Sequence, residues 1–256
     1  SGTIGAGVVA KSAPDGYTLM VAPAGTHTIN PSLMKLPYDT IRDFTAITII
    51  ARGPLVLVAH PSLNVGTLPA LITLAKSRPG QIVAASGGNA TAGHLALEML
   101  MLMSGARFLH VPYKGNAPGL VDTLAGHTQI MIDTPSTSIP QIRAGKLRGL
   151  GLTSAQRNPL TPDLLPICEA LPELKPFDVS TWFGVFLPAA APKPVLDAYN
   201  AEIKTWLDDA KTKERFAQMA GFPAYGTPTQ FKDFVDSQIA LWKSVIDKEG
   251  LKMDVN

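Results

Sequence analysis

Apolar residues along this chain fall into short runs whose spacing changes character twice, and the two changes divide it into three parts. In the first part, Gly5–Ser12 is spaced as a short helix and Pro14-Asp15-Gly16 as the turn that ends it. Tyr17–Ala22 predicts a strand, and Pro23–Pro31 a polar loop. Phe44–Ile50 and Leu55–Ala59 are rich in β-branched residues and predict two strands joined by a bend at Ala51-Arg52-Gly53-Pro54. From Thr67 the pattern becomes a regular alternation of helix and strand. Helix Leu68–Ser77 leads to strand Gln81–Ala85, helix Thr91–Ser104 to strand Arg107–Val111, helix Ala117–Ala125 to strand Gln129–Ile132, and helix Ser138–Ala144 to strand Leu147–Thr153. After Pro172 a strand at Thr181–Leu187 is followed by helices at Lys193–Asp209, Thr212–Met219 and Thr227–Lys248. The last helix is amphipathic, with Phe231, Phe234, Ile239, Leu241, Trp242 and Ile246 on its apolar face.

Strands that alternate with helices through short turns predict a parallel sheet covered by helices. The flanking segments are each too small for a domain. The economical arrangement is one α/β lobe made from both ends of the chain, residues 1–62 with 182–256, and a second lobe, 63–181, inserted into it. Each lobe is expected to hold a mostly parallel sheet. Two connections would cross between the lobes, as in a hinged protein that binds its ligand in a cleft.

Composition narrows the chemistry. The chain has 256 residues, 46% of them hydrophobic and 16% charged, with a net charge of +2. That is a globular composition, and scattered lysines and arginines give no basic stripe for nucleic acid or anionic membrane. The single Cys168 excludes an internal disulfide and any cysteine cluster for a metal. No apolar run approaches the ~20 residues that span a bilayer. No secretory signal is seen and the sequence opens Ser1-Gly2-Thr3 without an initiator Met, which reads as a processed or truncated product.

Gly2-Thr3-Ile4-Gly5-Ala6-Gly7 reverses the order of the dinucleotide fingerprint, and Walker, H-E-x-x-H and G-x-S-x-G motifs are absent. No two of His27, His60, His94, His110 and His127 fall four apart on a helix, so the sequence predicts neither a metal site nor a cofactor. His110 reads as a satisfied histidine of the core or of a cleft edge. The richest local signal is Ser86-Gly87-Gly88-Asn89-Ala90-Thr91, a small-residue turn between a strand and an apolar helix. Its backbone N–H groups and the helix dipole make it a candidate anion seat. Two more loops, Ala24–Asn30 and Asp133–Ser138, carry similar hydroxyl and amide residues, and ligands of α/β sheets bind at the carboxyl ends of strands. A Ser/His hydrolase using Ser86 with His94 or His27 is the alternative chemistry.

Ser86-Gly87-Gly88-Asn89 with Gly93-His94-Leu95, then His110-Val111-Pro112-Tyr113-Lys114-Gly115, Asp133, Gly145-Lys146-Leu147-Arg148, Leu152-Thr153-Ser154 and Thr181-Trp182-Phe183-Gly184 occur in that order. Pro14-Asp15-Gly16-Tyr17-Thr18-Leu19 and Thr26-His27 with Asn30-Pro31 extend the match. The chain thereby closely resembles the tripartite tricarboxylate transporter receptors, the Bug family of periplasmic solute-binding proteins. The resemblance implies a non-enzymatic, monomeric periplasmic receptor with two hinged α/β lobes. Such a receptor closes on a dicarboxylate, tricarboxylate, acidic amino acid or aromatic acid and delivers it to separate membrane components of a transporter. It implies that Ser86, Gly88, Asn89 and Thr91 seat a carboxylate, that Thr26 and His27 approach from the other lobe, and that Asp133 meets water or a ligand donor. Tyr113 and Lys114 would shape the wall. It also implies that a first strand and helix of the first lobe, with a Pro-Gly-Gly…Asp loop, belong before Ser1. Ala90 stands where many members have Gly, and Thr134 where Asn is frequent. A carboxylate sensor for a signalling partner is the third possibility.

Overall fold

A computed structural model describes residues 2–218 and 221–249. In chain order the elements are α1 (Thr3–Val9), β1 (Met20–Pro23), α2 (Asn30–Leu33), β2 (Phe44–Pro54), β3 (Val56–Ala59), α3 (Leu68–Ser77), β4 (Val83–Ser86), α4 (Ala92–Ser104), β5 (Leu109–Pro112), α5 (Asn116–Leu124), β6 (Ile130–Asp133), α6 (Pro135–Arg143), β7 (Arg148–Leu152), β8 (Ser180–Pro188), α7 (Lys193–Asp208), α8 (Ala210–Gln218), β9 (Phe222–Pro223) and α9 (Pro228–Glu249). Met219, the expected end of one helix, lies outside the described residues. Contacts divide the chain into two compact units. One is drawn from Ser1–Arg52, Thr181–Phe216 and Phe222–Asn256, the other from Gly53–Ser180 with Ala217–Gly221.

The first unit holds a four-stranded sheet in the order β1-β8-β2-β9. β1 pairs with β8, and β2 with β9, both antiparallel. The expectation of a mostly parallel sheet is therefore corrected here. Pairing joins segments from opposite ends of the chain, so no helical crossover dictates a common direction. Its core gathers Met20, Phe44, Trp182, Phe186, Phe231 and Val235. Gly184 lacks a side chain because the Phe231 ring occupies that space: a Cβ there would lie 2.1 Å from Phe231 Cζ.

The expected polar loop at Pro23–Pro31 is also corrected. Gly25–Ile29 forms a π-helical turn that runs directly into α2, and Thr26, His27, Thr28, Ile29 and Asn30 are all buried. Thr28 Oγ1 donates to Ala24 O at 2.8 Å, satisfying its hydroxyl locally.

The second unit holds a five-stranded sheet in the order β5-β4-β6-β3-β7. β4 runs parallel to β5 and β6, as alternation predicts, whereas β3 is antiparallel to both β6 and β7. Because β3 is a member of this sheet, the unit begins at Gly53, ten residues before the expected 63. Val56 and Val58 of β3 join Ala85, Met131 and Leu152 in its core.

Parallel pairing puts the carboxyl ends of β4, β5 and β6 on one edge of the sheet. Each is followed by a helix, α4, α5 or α6, whose first turn starts at that edge. α4 begins where Thr91 Oγ1 accepts from His94 N at 3.3 Å, an N-cap bond, and stops at Gly105, which has a left-handed backbone. Between them Leu95, Ala96, Leu97 and Leu100 are buried. Gly93 lets the first turn press against the sheet, since a Cβ there would stand 2.5 Å from Ile132 O.

Candidate functional site

The edge of the second unit's sheet concentrates the residues singled out from the sequence. Beyond β4, Ser86 through Thr91 form a turn with two left-handed positions, Gly88 at φ 128° and Ala90 at φ 60°. Glycine takes that conformation freely, but for alanine it is uncommon and costs roughly 1–2 kcal/mol. Side chains hold the turn in place. Gly88 N donates to Ser86 Oγ at 3.2 Å, Thr91 Oγ1 donates to Gly88 O at 2.9 Å, and Ala90 N donates to His94 Nδ1 at 3.2 Å.

The loop after β5 docks on this turn. Tyr113 N donates to Ser86 O, and Gly115 N to Gly87 O, each at 3.0 Å. Asn116, the first residue of α5, fills the space beside Gly87, where a Cβ would fall 1.9 Å from Asn116 Oδ1. Asn116 Nδ2 donates to Asp133 Oδ1 at 2.6 Å, at the end of β6. The other oxygen of Asp133 accepts from Thr137 Oγ1 at 2.6 Å and Ser138 Oγ at 3.0 Å in the first turn of α6. Three helix N-termini are thus fastened to one another. α4 carries a side-chain N-cap, whereas neither Gly115 nor Thr134 supplies one to α5 or α6. Their first turns add partial positive charge at one edge, although α6 opens on Pro135, which has no N–H, and its Thr137 and Ser138 N–H groups already donate to Thr134 O.

Exposure separates the sequence-derived site residues into two groups. Asn89 and Thr91 are half-buried, at the open side of the turn, with Asn116 and Thr134 near them in class. Ser86, Gly88 and Asp133 are buried and form its base. Asp133 directs its oxygens inward to Asn116, Thr137 and Ser138. Tyr113 is half-buried, and its hydroxyl donates to Asp122 Oδ2 at 2.6 Å, which pushes the phenol up to about 12. Lys114 is exposed.

Thr26 and His27 lie in the first unit, 2% and 0% exposed. The His27 ring stacks on Phe186 at 3.8 Å and meets Phe44 edge-on at 4.9 Å. Neither ring nitrogen has a hydrogen-bond partner among the described residues, and burial pushes the imidazole down to about 3. A pocket of about 330 Å³ opens nearby, lined by Ile41, Phe44, Phe186, Leu196 and Val235 with Lys232 at its side. Lys232 is already bonded to Asp236 at 2.6 Å, so this apolar pocket offers a carboxylate less than the turn of the second unit does.

Ser86 is paired with His110, whose Nε2 lies 2.7 Å from Ser86 Oγ. The expected partners, His94 and His27, are engaged elsewhere. The distance suits a nucleophile and base, but Ser86 is 1% exposed, and no carboxylate bonds the His110 ring among the described residues. Burial first, then the neighbouring His94, push His110 down to about 4 against the opposing pull of Glu98. Asn116 and the His110 pairing escaped the sequence reading. The position of Asn116 immediately after Gly115, at a helix start, was the available signal. No cluster of His, Cys, Asp and Glu able to hold a metal occurs among the described residues, and no described helix is long and apolar enough to cross a membrane.

Known proteins resemble this chain in sequence and in fold. The family model described as tripartite tricarboxylate transporter family receptor matches residues 1–251. Protein BugT of Bordetella pertussis (strain Tohama I) is 33% identical over 255 residues, 98% of this chain and 77% of that protein. The structure of R. palustris Rpa4515 with adipate is similar at a TM-score of 0.94 and 31% identity, over 98% of this chain and 84% of that one. The periplasmic binding protein BugD is similar at 0.92 and 31%, over the same shares of 98% and 84%. MatC (Rpa3494) from Rhodopseudomonas palustris with bound malate is similar at 0.88 and 27%, over 96% and 84%. The hydrolase alternative falls with these findings: the chain belongs to the tripartite tricarboxylate transporter receptor family, which consists of solute-binding receptors and not enzymes.

Proposed function

We propose that this chain is a periplasmic receptor that captures a small organic carboxylate and passes it to the membrane components of a tripartite tricarboxylate transporter. The observation that carries the reading is the convergence of α4, α5 and α6 on the Ser86–Thr91 turn. A carboxylate oxygen at the open side of this turn meets the first N–H groups of α5, which no side chain caps, and at α6 the N–H of Ser136, since Pro135 has none. Asn89 supplies a side-chain donor in this reading, and Thr91 joins it by turning to the ligand the hydroxyl proton that otherwise goes to Gly88 O. Ser86, Gly88 and Asp133 hold the backbone beneath them, and Tyr113 and Lys114 form the wall. Thr26 and His27 act through the packing of the first unit rather than by touching the ligand. That relatives have been seen with adipate and with malate supports a carboxylate over a phosphate.

The test is a thermal-shift screen of adipate, malate, citrate, aspartate, glutamate and benzoate. A ligand present at 100 times its Kd stabilises the native state by about 2.7 kcal/mol, a readily measured rise in Tm. At least one aliphatic dicarboxylate is expected to raise it, and Thr91→Val to weaken that ligand by about 1–3 kcal/mol. A flat response to all six acids overturns the proposal.

A further inference from the structure

The 86–91 turn is irregular, with left-handed backbone at Gly88 and Ala90, and two imidazoles serve as its outer tethers. Ala90 N–H donates to His94 Nδ1, so that nitrogen must present a lone pair and the ring's proton must sit on Nε2. There it faces Glu98 Oε1 at 3.2 Å. His110 Nε2 meets Ser86 Oγ, and the same oxygen accepts from Gly88 N. One ring therefore anchors the corner at Ala90, and the other anchors the corner at Gly88 through Ser86.

The two anchors are joined. The His94 and His110 rings stack with centroids 3.8 Å apart and planes 14° from parallel. Neither can swing without displacing the other, and Glu98 steadies the outer end of the pair. A leucine at either position would fill comparable space, but at 94 it would strand the Ala90 N–H, and at 110 it would leave the Ser86 hydroxyl only its longer 3.2 Å bonds within the turn, to Gly88 O and from Gly88 N. An unpaired buried donor is costly, and a short turn that loses one tether shifts to repair it.

We infer that His94 and His110 are positioning residues of the anion seat, a stacked pair that sets the backbone of the 86–91 turn without touching the ligand. The inference rests on the reading of that turn as a carboxylate seat. It assigns the pair a role that composition and spacing leave invisible, because the two residues stand on different elements and meet only in the fold.

Conservative variants separate positioning from bulk. His94→Asn keeps an acceptor near the Nδ1 position, and His110→Gln keeps a polar amide near Nε2; His94→Leu and His110→Leu keep only volume. Titration of the full chain with adipate and with malate should find the Asn and Gln variants within about threefold of the wild type and the Leu variants weakened roughly tenfold or more. Amide hydrogen exchange at Ala90 reads the tether without any ligand: protection should persist in His94→Asn and be lost in His94→Leu. Nitrogen NMR of the wild type should find the His94 proton on Nε2. Leu variants that bind like the wild type, an Ala90 amide indifferent to His94→Leu, or a His94 proton on Nδ1 would each overturn the inference. If the wild type binds neither acid while Ala90 protection still depends on His94, the carboxylate reading falls and the tether stands.

Discussion

Two segments of this chain look alike in sequence and end in opposite states. Ala24–Asn30 and Ser86–Thr91 each follow a strand, each mix hydroxyl, amide and small residues, and each precede a helix. The first becomes a π-helical turn sealed inside its unit, with the His27 imidazole clasped between Phe44 and Phe186 and unbonded at both nitrogens among the described residues. The second stays at a sheet edge, where Asn89 and Thr91 remain within reach of solvent and the polar atoms beneath them are paired. The difference arises from what surrounds each segment. Aromatic rings brought from distant strands close over the first, whereas backbone N–H groups of neighbouring helices open around the second. Polar composition marks a potential site, and packing decides whether anything can enter it.

The largest test of this contrast is acid. His27 is held near 3 in the folded protein against an ordinary value of 6.5. The unfolded chain takes the proton first, so stability is intact above pH 6.5 and drains as pH falls toward 3. At ~1.4 kcal/mol per unit the whole window amounts to about 5 kcal/mol. Urea unfolding at pH 7 and pH 4 should show a clearly steeper loss for the wild type than for His27→Leu. Equal slopes would mean that the ring is not sealed, and the contrast between the segments would collapse. A middle-sized effect is expected at Gly87, where an added Cβ meets Asn116 Oδ1. Gly87→Ala should cost about 1–3 kcal/mol of stability through overpacking and should weaken any dicarboxylate that the thermal-shift screen finds for the wild type, whereas Gly66→Ala, in open space, should change neither. The smallest effect runs the other way. Ala90→Gly removes a left-handed alanine and should raise Tm by an amount equivalent to up to about 1 kcal/mol, measured by calorimetry. A fall in Tm would show that the Ala90 methyl packs usefully, since the residue is 1% exposed.

The second unit was largely legible. The apolar run after the Ser86–Thr91 turn predicts a helix over Thr91–Ser104, one residue longer than α4 (Ala92–Ser104), and the alternation around it gives the parallel core β4, β5 and β6. The direction of β3 was not legible, because four consecutive buried residues, Val56 through Ala59, look the same in either orientation. Nor was the Ser86–His110 pair, which depends on the β4–β5 register that sets Ser86 opposite Pro112. In the first unit the pairing of β1 with β8 joins Met20 to Phe186, far beyond the reach of any turn signal. The fate of His27 was hidden for a different reason. Patterning assumes that cores bury apolar side chains, and this one buries an imidazole with no hydrogen-bond partner among the described residues.

The close fit of Gly87 against Asn116 reaches beyond the folded state into heredity. While the Asn116 amide keeps its place against Asp133, any side chain at position 87 must displace it, since even a methyl carbon would sit 1.9 Å from Oδ1. Shrinking Asn116 first would leave its backbone nitrogen 3.2 Å from that carbon, a contact a small shift could relieve. The two positions therefore diverge at lower cost in one order than in the other, so the shape of this turn biases the sequence of mutations by which a lineage could remodel it.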